Sequence, residues 1–349
     1  MEVTTIKCPN CNSDLKFNAE NQNWSCEFCG SAFSQTEIAS ITQKSEQYSQ
    51  SNPTQADIDQ PELTVYKCKS CGAEMVTDEN TAATFCVYCG NVGIMKNRLE
   101  GKFKPDYIIP FKKTKKEAIQ AYNDYRKGKV LAPNEFGKPE NIDKITGVYI
   151  PFWLYDGNAF GRVSGERHDI TTWRQGNYTY TKTDIYHIDR AGSIQFEKVP
   201  ADGSKKFDDD TMDSIEPFDF KEMIPFNYSF LSGFLAEKYD VGPDEDKERA
   251  SLRMKNSIIQ SLDSTIVGTL INRQENKENN FTDIKYAMFP VWMLNTIIEG
   301  KPYTFAMNGQ TGRMVGNIPI DKGKAFRFFL FRALIAMGIF SAIAWFFFM

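Results

Sequence analysis

All eight cysteines of this 349-residue chain fall into two copies of one pattern. In each copy one C-x-x-C pair is followed by another, and the same number of residues separates the two pairs: Cys8, Cys11, Cys26 and Cys29, then Cys68, Cys71, Cys86 and Cys89. A C-x-x-C turn directs both sulfurs to one side, and two such turns facing each other across a hairpin form the tetrahedral cage of structural zinc sites. The sequence therefore predicts two zinc ribbons that bind two structural Zn²⁺ ions per chain.

Residues beside the sulfurs agree with this prediction. Asn12 and Gly30 each follow the second cysteine of a turn in the first ribbon, where the chain needs a positive φ. The alternative is a pair of disulfides in each ribbon, but thiolate cages need a reducing compartment, and we expect no secretory signal in the first residues. Four thiolate ligands leave no open position on the metal, so we expect each ion to stabilise structure and to perform no chemistry.

The predicted organisation has five parts. The segment between the ribbons is rich in Ser, Thr, Gln and Asn, which is typical of a polar flexible linker. The predicted boundaries are zinc ribbon 1 at 1–33, the linker at 34–63, zinc ribbon 2 at 64–98, an α+β domain at 103–320 and a C-terminal transmembrane helix at 326–349. The formal net charge of −4 disfavours a protein whose main task is to neutralise phosphates, so nucleic acid is not the expected partner.

The middle of the chain contains two similar blocks. Each block has an apolar Ile-Pro-Phe segment (ending at Phe111 and Phe226), then a helical pattern, then an apolar segment with Pro and Trp two residues apart (centred near Pro151 and Pro290). The first helix is predicted by the capping box of Thr114 and Glu117 and ends at Gly128, and the second is predicted from Pro243 to about Asn272. These patterns predict a duplicated α/β module.

The C-terminal segment carries no charge from Ala333 to Met349. The basic residues lie before this run, so the pattern predicts a single-pass protein of the cell membrane with the bulk of the chain in the cytoplasm. The alternatives are a buried helix of the central domain, or the first arm of a membrane hairpin. Gly338 and Ala342 form a small-x-x-x-small pair that suggests oligomerisation through this helix.

We find no catalytic pattern in the sequence. The two histidines, His168 and His187, lie among acidic residues in segments interpreted as solvated surface, and no cysteine remains free to act as a nucleophile. The acidic run 208–210 lacks the ligand spacing of a calcium loop and is interpreted as a solvated loop. We therefore expect the protein not to be an enzyme and to bind no cofactor other than zinc.

Three further segments carry a family resemblance. They are Ile150–Tyr155, Met212–Asp219 and Leu231–Asp240. Together with the cysteine turns and the apolar tail, they resemble the YdjG-like group of bacterial membrane proteins labelled TFIIB-type zinc-ribbon-containing. The resemblance implies two partners, a phage-shock protein A homologue and an SPFH (flotillin-like) protein, which such proteins help to hold at a stressed envelope. Labels of similar chains that cite a primosomal helicase imply nucleic-acid binding instead.

These observations give one leading hypothesis and two rivals. The leading hypothesis is a non-enzymatic, membrane-anchored zinc-ribbon scaffold on the cytoplasmic face that recruits envelope-stress proteins. The first rival is a nucleic-acid-binding zinc-ribbon protein of the replication type, whose affinity would fall steeply with salt. The second is a hydrolase or transferase, which needs a pocket lined by convergent polar groups such as Asp156, Arg162, Glu166 and His168.

Overall fold

The computed structural model describes residues 6–47, 64–67, 74–77, 81–85, 92–94, 99, 101–298 and 301–348. The β-strands in these ranges are β1 (Leu15–Asn18), β2 (Asn23–Cys26), β3 (Ala32–Phe33), β4 (Thr64–Lys67), β5 (Glu74–Thr77), β6 (Thr81–Phe85), β7 (Val92–Ile94), β8 (Tyr107–Ile108), β9 (Thr146–Gln175), β10 (Tyr178–Asp202), β11 (Ile224–Pro225), β12 (Leu235–Glu237), β13 (Ile271–Ile298), β14 (Lys301–Asn308) and β15 (Met314–Gly316). The α-helices are α1 (Gln35–Gln47), α2 (Lys115–Lys127), α3 (Pro139–Ile142), α4 (Asp209–Ser214), α5 (Pro243–Asp263) and α6 (Lys322–Phe348).

These strands form three sheets. β1, β2 and β3 make a small antiparallel sheet, β4 pairs with β5, and the others join one mixed sheet of ten strands. Its main order is β11-β8-β13-β9-β12-β6-β7, with β10 on β9, β14 on β13 and β15 on β14. β9 and β13 lie at the centre and are antiparallel, whereas β8 runs parallel to β13 and β12 runs parallel to β9.

Both faces of the central strands are covered. Along β9, Tyr149 and Trp153 belong to the larger core, which includes ribbon 1, α2 and α5, while Ile150 and Phe152 point to the opposite face. The segment that includes α4 covers this opposite face through Met212 and other apolar side chains. Burial on both sides explains why these strands are nearly continuous apolar runs without alternation.

β9, β10 and β13 extend beyond this core as a three-stranded projection, which we call the β-arm (157–196 and 271–285). α5 covers one face of its base, and a Cβ on Gly161 would lie only 2.8 Å from Cγ1 of Ile258, so the glycine permits the close approach of the helix. From 169 to 183 every residue is exposed. The tip is therefore a two-stranded hairpin with solvent on both faces.

The predicted fold class, an α+β multidomain chain with a duplicated module and a transmembrane helix, is wrong. The structure is a mixed α/β fold built on one large sheet. The two similar sequence blocks do not fold as two modules, because β8 of the first block pairs with β13 of the second, and β12 of the second pairs with β9 of the first. Strands that are apolar on both faces need cover on both sides, so the two apolar Pro-Trp strands pair at the centre of one sheet.

The predictions of a transmembrane helix at 326–349 and of a single-pass membrane protein are also wrong. In the ranges that the structure describes, no helix has both the length and the apolar character needed to cross a membrane. Arg332 interrupts the apolar part of α6, and a charge within a membrane span is costly. The start of α6 contacts the domain, because the backbone N–H of Asp321 donates to the carbonyl of Leu131 at 2.9 Å and Lys324 Nζ donates to Asn134 Oδ1 at 2.7 Å.

Candidate metal centre

Four cysteines from two turns converge at one end of ribbon 1. The Sγ atoms of Cys8, Cys11, Cys26 and Cys29 all lie within 4.8 Å of one another, with 3.7 Å between Cys8 and Cys29 and 3.4 Å between Cys11 and Cys26. None of the four forms a disulfide. In a tetrahedral site, Zn–S bonds of about 2.3 Å place the sulfurs about 3.8 Å apart. The cluster therefore fits one metal ion and is consistent with zinc.

The turns that carry these sulfurs have the predicted backbone geometry. Asn12 has a φ of 60° and Gly30 a φ of 74°. In the first turn the N–H of Asn12 donates to the carbonyl of Cys8 at 2.8 Å, and in the second the N–H of Gly30 donates to the carbonyl of Cys26 at 2.9 Å. Because left-handed backbone is accessible to Gly and Asn at low cost, these two residues allow each turn to close around the sulfurs.

The sulfurs differ in their environment. Cys8 and Cys26 are buried, whereas Cys29 is exposed. The Ser31 hydroxyl lies 3.2 Å from Cys29 Sγ, and hydrogen bonds from the side chain and backbone of Ser31 lower the pKa of the Cys29 thiol to about 6. A lowered thiol pKa favours the thiolate, which is the form that binds metal.

Ribbon 1 is fixed to the central domain by an aromatic cluster. Trp24 is fully buried, and its ring centroid lies 5.0 Å from those of both Phe17 and Phe230. The indole N–H of Trp24 donates to the carbonyl of Ser229 at 2.8 Å, and the N–H of Phe17 donates to the carbonyl of Ser232 at 2.9 Å. The ribbon therefore has no independent orientation, since its hairpin shares one apolar core with the domain.

The structure brings together half of the predicted metal ligands. Cys8, Cys11, Cys26 and Cys29 form the cluster, while the other four lie outside the described residues: Cys68, Cys71, Cys86 and Cys89. The hairpin between the two cysteine turns of ribbon 1 is predicted from the sequence, but the anchoring role of Phe17 and Trp24 is not. A signal for this role was present, since Leu15, Phe17, Trp24 and Cys26 alternate with polar residues and one small ribbon has too few residues to bury them.

The other candidate groups lie elsewhere in the molecule. His168 Nε2 is 3.2 Å from Glu166 on β9, and Glu166 lies opposite His187 in the β-arm. The acidic run 208–210, interpreted from sequence as a solvated loop, begins α4 instead. There Asp208 accepts a hydrogen bond from the N–H of Thr211 at 2.9 Å and Asp209 pairs with Arg249 at 3.3 Å. These acids serve as a helix cap and as ion-pair partners.

Comparison with known proteins identifies one full-length relative. The chain is 35% identical over 343 residues to a Bacillus subtilis (strain 168) protein described as "Uncharacterized protein YdjG", and the match covers 98% of this chain and 96% of the relative. No family model matches the chain, and no solved structure matches it either. Identity at this level over almost the whole of both sequences shows common descent and a shared fold. The chain belongs to the YdjG family.

Proposed function

We propose that this protein is a non-enzymatic adaptor that uses a structural zinc ribbon to bind another protein. The observation that carries the proposal is the position of ribbon 1, which is rigidly fixed to the domain on one side and presents its second cysteine turn on the other. Phe28, at the tip of that turn between Cys26 and Cys29, has 82% of its surface exposed. A large apolar side chain held at the tip of a rigid turn is a favourable anchor for a protein interface.

The chemistry of the cluster supports a structural role for the metal. Four sulfurs saturate a tetrahedral ion and leave no position for a substrate or a water molecule. We propose that the ion is zinc, and that the second set of cysteines binds a second zinc ion, which gives two per chain. By the family resemblance, the candidate partners are a phage-shock protein A homologue and an SPFH (flotillin-like) protein.

The rival function, nucleic-acid binding by the ribbon, receives less support from the charges of the described residues. Lys7 Nζ lies 2.7 Å from Asp14, and Lys16 Nζ lies 2.6 Å from Glu27. Each of these ribbon cations is thus paired with a carboxylate and is less available to a phosphate. A basic stripe, which is the footprint of a nucleic-acid surface, is not formed by them.

Binding of the purified full-length protein to each candidate partner tests the proposal. Phe28→Ala should weaken binding by about tenfold or more, because a buried aromatic anchor contributes about 2 kcal/mol or more to an interface. Val130→Ala is the matched control, since Val130 is 70% exposed on the central domain and should bind as the unmodified chain does. Zinc content must be equal in all three proteins.

Two results would refute this proposal. One is a full-length protein that binds neither of the two candidate partners. The other is a Phe28→Ala variant that binds with unchanged affinity. Binding of single-stranded or duplex DNA that is lost in Lys7→Ala and Lys16→Ala variants would favour the rival function.

A further inference from the structure

The outer edge of β10 is open along the whole β-arm. Among the described strands, β10 pairs with β9 alone, and the register between them is uninterrupted from Tyr178 to Phe196. Gly176, with a φ of 63°, forms the two-residue turn with Asn177. The two residues that flank such a turn form backbone hydrogen bonds with each other, so the N–H and C=O of Tyr178 point toward β9. The direction alternates along the strand, and from Thr179 onward the backbone groups of every second residue point away from β9. This edge therefore offers a row of donors and acceptors that no described strand uses.

The two edges of the β-arm differ in composition. From Tyr178 to Ile188 on β10, eight of eleven residues are Thr, Tyr or Ile, which are strong strand formers. From Ile271 to Phe281 on β13, only the first and last of eleven residues are β-branched or aromatic, and the others are Asn, Gln, Glu, Lys and Arg. The register of β13 is also broken twice by bulges, near Asn272 and Thr282.

This difference matters because proteins protect sheet edges with charges and bulges. The β13 edge has both kinds of protection. The β10 edge has neither a bulge nor a proline before Phe196, and its large side chains are exposed: Tyr178 by 72%, Ile185 by 61%, Tyr186 by 45% and Tyr180 by 44%. An edge with these properties is suited to pair with another strand.

The charges on β10 are arranged symmetrically about Thr183. Lys182 and Asp184 are the only charged residues from Tyr178 to Ile188, apart from the titratable His187, and they flank Thr183 on either side. In the single chain they pair with each other at 2.9 Å, with Lys182 largely exposed and Asp184 half-buried. A second copy of the same strand, antiparallel and centred on Thr183, would place each Lys182 opposite the Asp184 of the other copy. No like charges would meet in this register.

The remaining pairs in this register are also favourable. They are Tyr178 with Ile188, Thr179 with His187, Tyr180 with Tyr186, and Thr181 with Ile185. In each pair, the backbone N–H and C=O groups of both residues point away from β9 of their own copy, or those of both point toward it. The outward groups of one copy therefore meet the outward groups of the other. Aromatic and β-branched cross-strand pairs stabilise antiparallel sheets. A two-fold axis through Thr183 gives the closed symmetry usual for homodimers.

We propose that two copies of this protein associate through their β-arms, by antiparallel pairing of β10 with β10 about Thr183. The two hairpin tips then form a four-stranded sheet at Thr183, and this sheet continues through β9 into β13 of each copy. The partner is a second copy of this chain, and the recognition uses backbone hydrogen bonds together with the Lys182–Asp184 cross-pairs. This association is independent of ribbon 1 and of any partner that binds there.

Charge reversal and charge exchange test the proposal in the full-length protein. We expect sedimentation velocity over a wide range of concentrations to show a monomer–dimer equilibrium. Lys182→Asp places two acidic residues opposite each other on both sides of the axis, and Asp184→Lys does the same with basic residues, so each should weaken the dimer at least about tenfold. The double variant Lys182→Asp/Asp184→Lys restores opposite charges and should restore the dimer.

The matched control is Lys277→Asp, a charge reversal on the other edge of the β-arm, which should leave the equilibrium unchanged. Association through the apolar surface of α6 would not respond to the charges at positions 182 and 184. A protein that stays monomeric at every concentration overturns the proposal. So does a dimer that the single reversals leave intact, or one that the double exchange fails to restore.

Discussion

Two tryptophans in two hairpins show how differently this chain uses similar local structure. Trp24 lies on β2 of ribbon 1 and is fully buried, whereas Trp173 lies near the tip of the β-arm and is 45% exposed. Trp24 packs between Phe17 and Phe230, while Trp173 stacks on Tyr180 across the hairpin at 5.6 Å. The ribbon therefore shares a core with the domain and contains a cysteine cluster that fits a metal ion, whereas the β-arm tip is held by its backbone ladder and by contacts between exposed side chains.

The base of the β-arm differs again from its tip. There α5 packs on the sheet, and Arg249 is surrounded by four acids, with Asp202 and Asp213 hydrogen-bonded to it and Asp209 and Asp246 farther away. Asp202 and Asp246 are buried, and each has one carboxylate oxygen that accepts no hydrogen bond from the described residues. The helix that covers the base of the β-arm is thus joined to the end of β10 and to α4 through buried charge, in contrast to the neutral aromatic core that attaches the ribbon.

The largest effect should come from removing a metal ligand. Cys26→Ser leaves three sulfurs in ribbon 1. Because metal binding and folding are coupled in zinc ribbons, the variant should lose up to about 10 kcal/mol of the free energy of metal binding. We expect the variant to lose one zinc ion per chain, measured by elemental analysis, and to expose the aromatic cluster to proteolysis. Ser25→Ala is the control, and an unchanged zinc content in Cys26→Ser would contradict the assignment.

The two tryptophans provide a direct test of the comparison. Trp24→Ala removes a fully buried side chain and should lower the free energy of unfolding by about 3–5 kcal/mol. Trp173→Ala removes only a cross-strand contact on an exposed hairpin and should cost less than about 1 kcal/mol. Urea denaturation followed by circular dichroism measures both. Equal losses would mean that the β-arm tip is packed against something in solution.

A smaller effect than that of Trp24 concerns pH and the buried carboxyl of Asp246 on α5. Burial raises the pKa of Asp246 to about 6, although Arg249 opposes the shift, and Asp202, Asp209 and Asp213 add to it. A carboxyl whose pKa is raised on folding favours the folded state when protonated. Its contribution is therefore fully present below pH of about 4 and is lost as the pH rises through about 6.

Asp246→Asn should remove this dependence. Because the amide is neutral at every pH, the variant should gain stability relative to the unmodified protein between pH 5 and pH 8, by about 1–2 kcal/mol. Thermal unfolding at several pH values measures the difference, which cancels the titration of groups that do not interact with Asp246. Asp244→Asn, an exposed neighbour, should show no such trend. A constant difference across this range would show that Asp246 does not titrate there.

Local patterns predict local structure well in this chain. The spacing of the cysteines predicts the cluster of ribbon 1, and the capping box of Thr114 and Glu117 together with Gly128 predicts both ends of α2. In these cases the interacting residues are a few positions apart or share a hairpin. The same reasoning fails at the end of α5, which is predicted to reach about Asn272 but ends at Asp263. Ile266 and Leu270 continue the four-residue spacing, yet they pack against the core from a loop.

The β-arm shows why long-range pairing escapes such reasoning. Residues 158–163 and 178–187 have alternating sequence next to glycines, a pattern typical of short strands between turns. In the structure they belong to two strands of 30 and 25 residues. Gly157, Gly161 and Gly165 lie within β9, where Gly161 allows α5 to pack closely, whereas Gly176 forms the turn between the strands. The sequence alone does not distinguish a glycine that forms a turn from a glycine that allows a helix to pack closely on a strand, because the difference lies in the neighbouring element.

The sequence by itself determined the chemistry of ribbon 1, because the positions of four sulfurs around a metal depend on two turns and the hairpin between them. Only the tertiary structure decided where that ribbon sits, how the two similar blocks interleave in one sheet, and how far the β-arm extends. Those features depend on which apolar faces are packed against other elements and which strand edges pair with other strands. Both are properties of contacts between distant residues, which no short segment of the chain specifies.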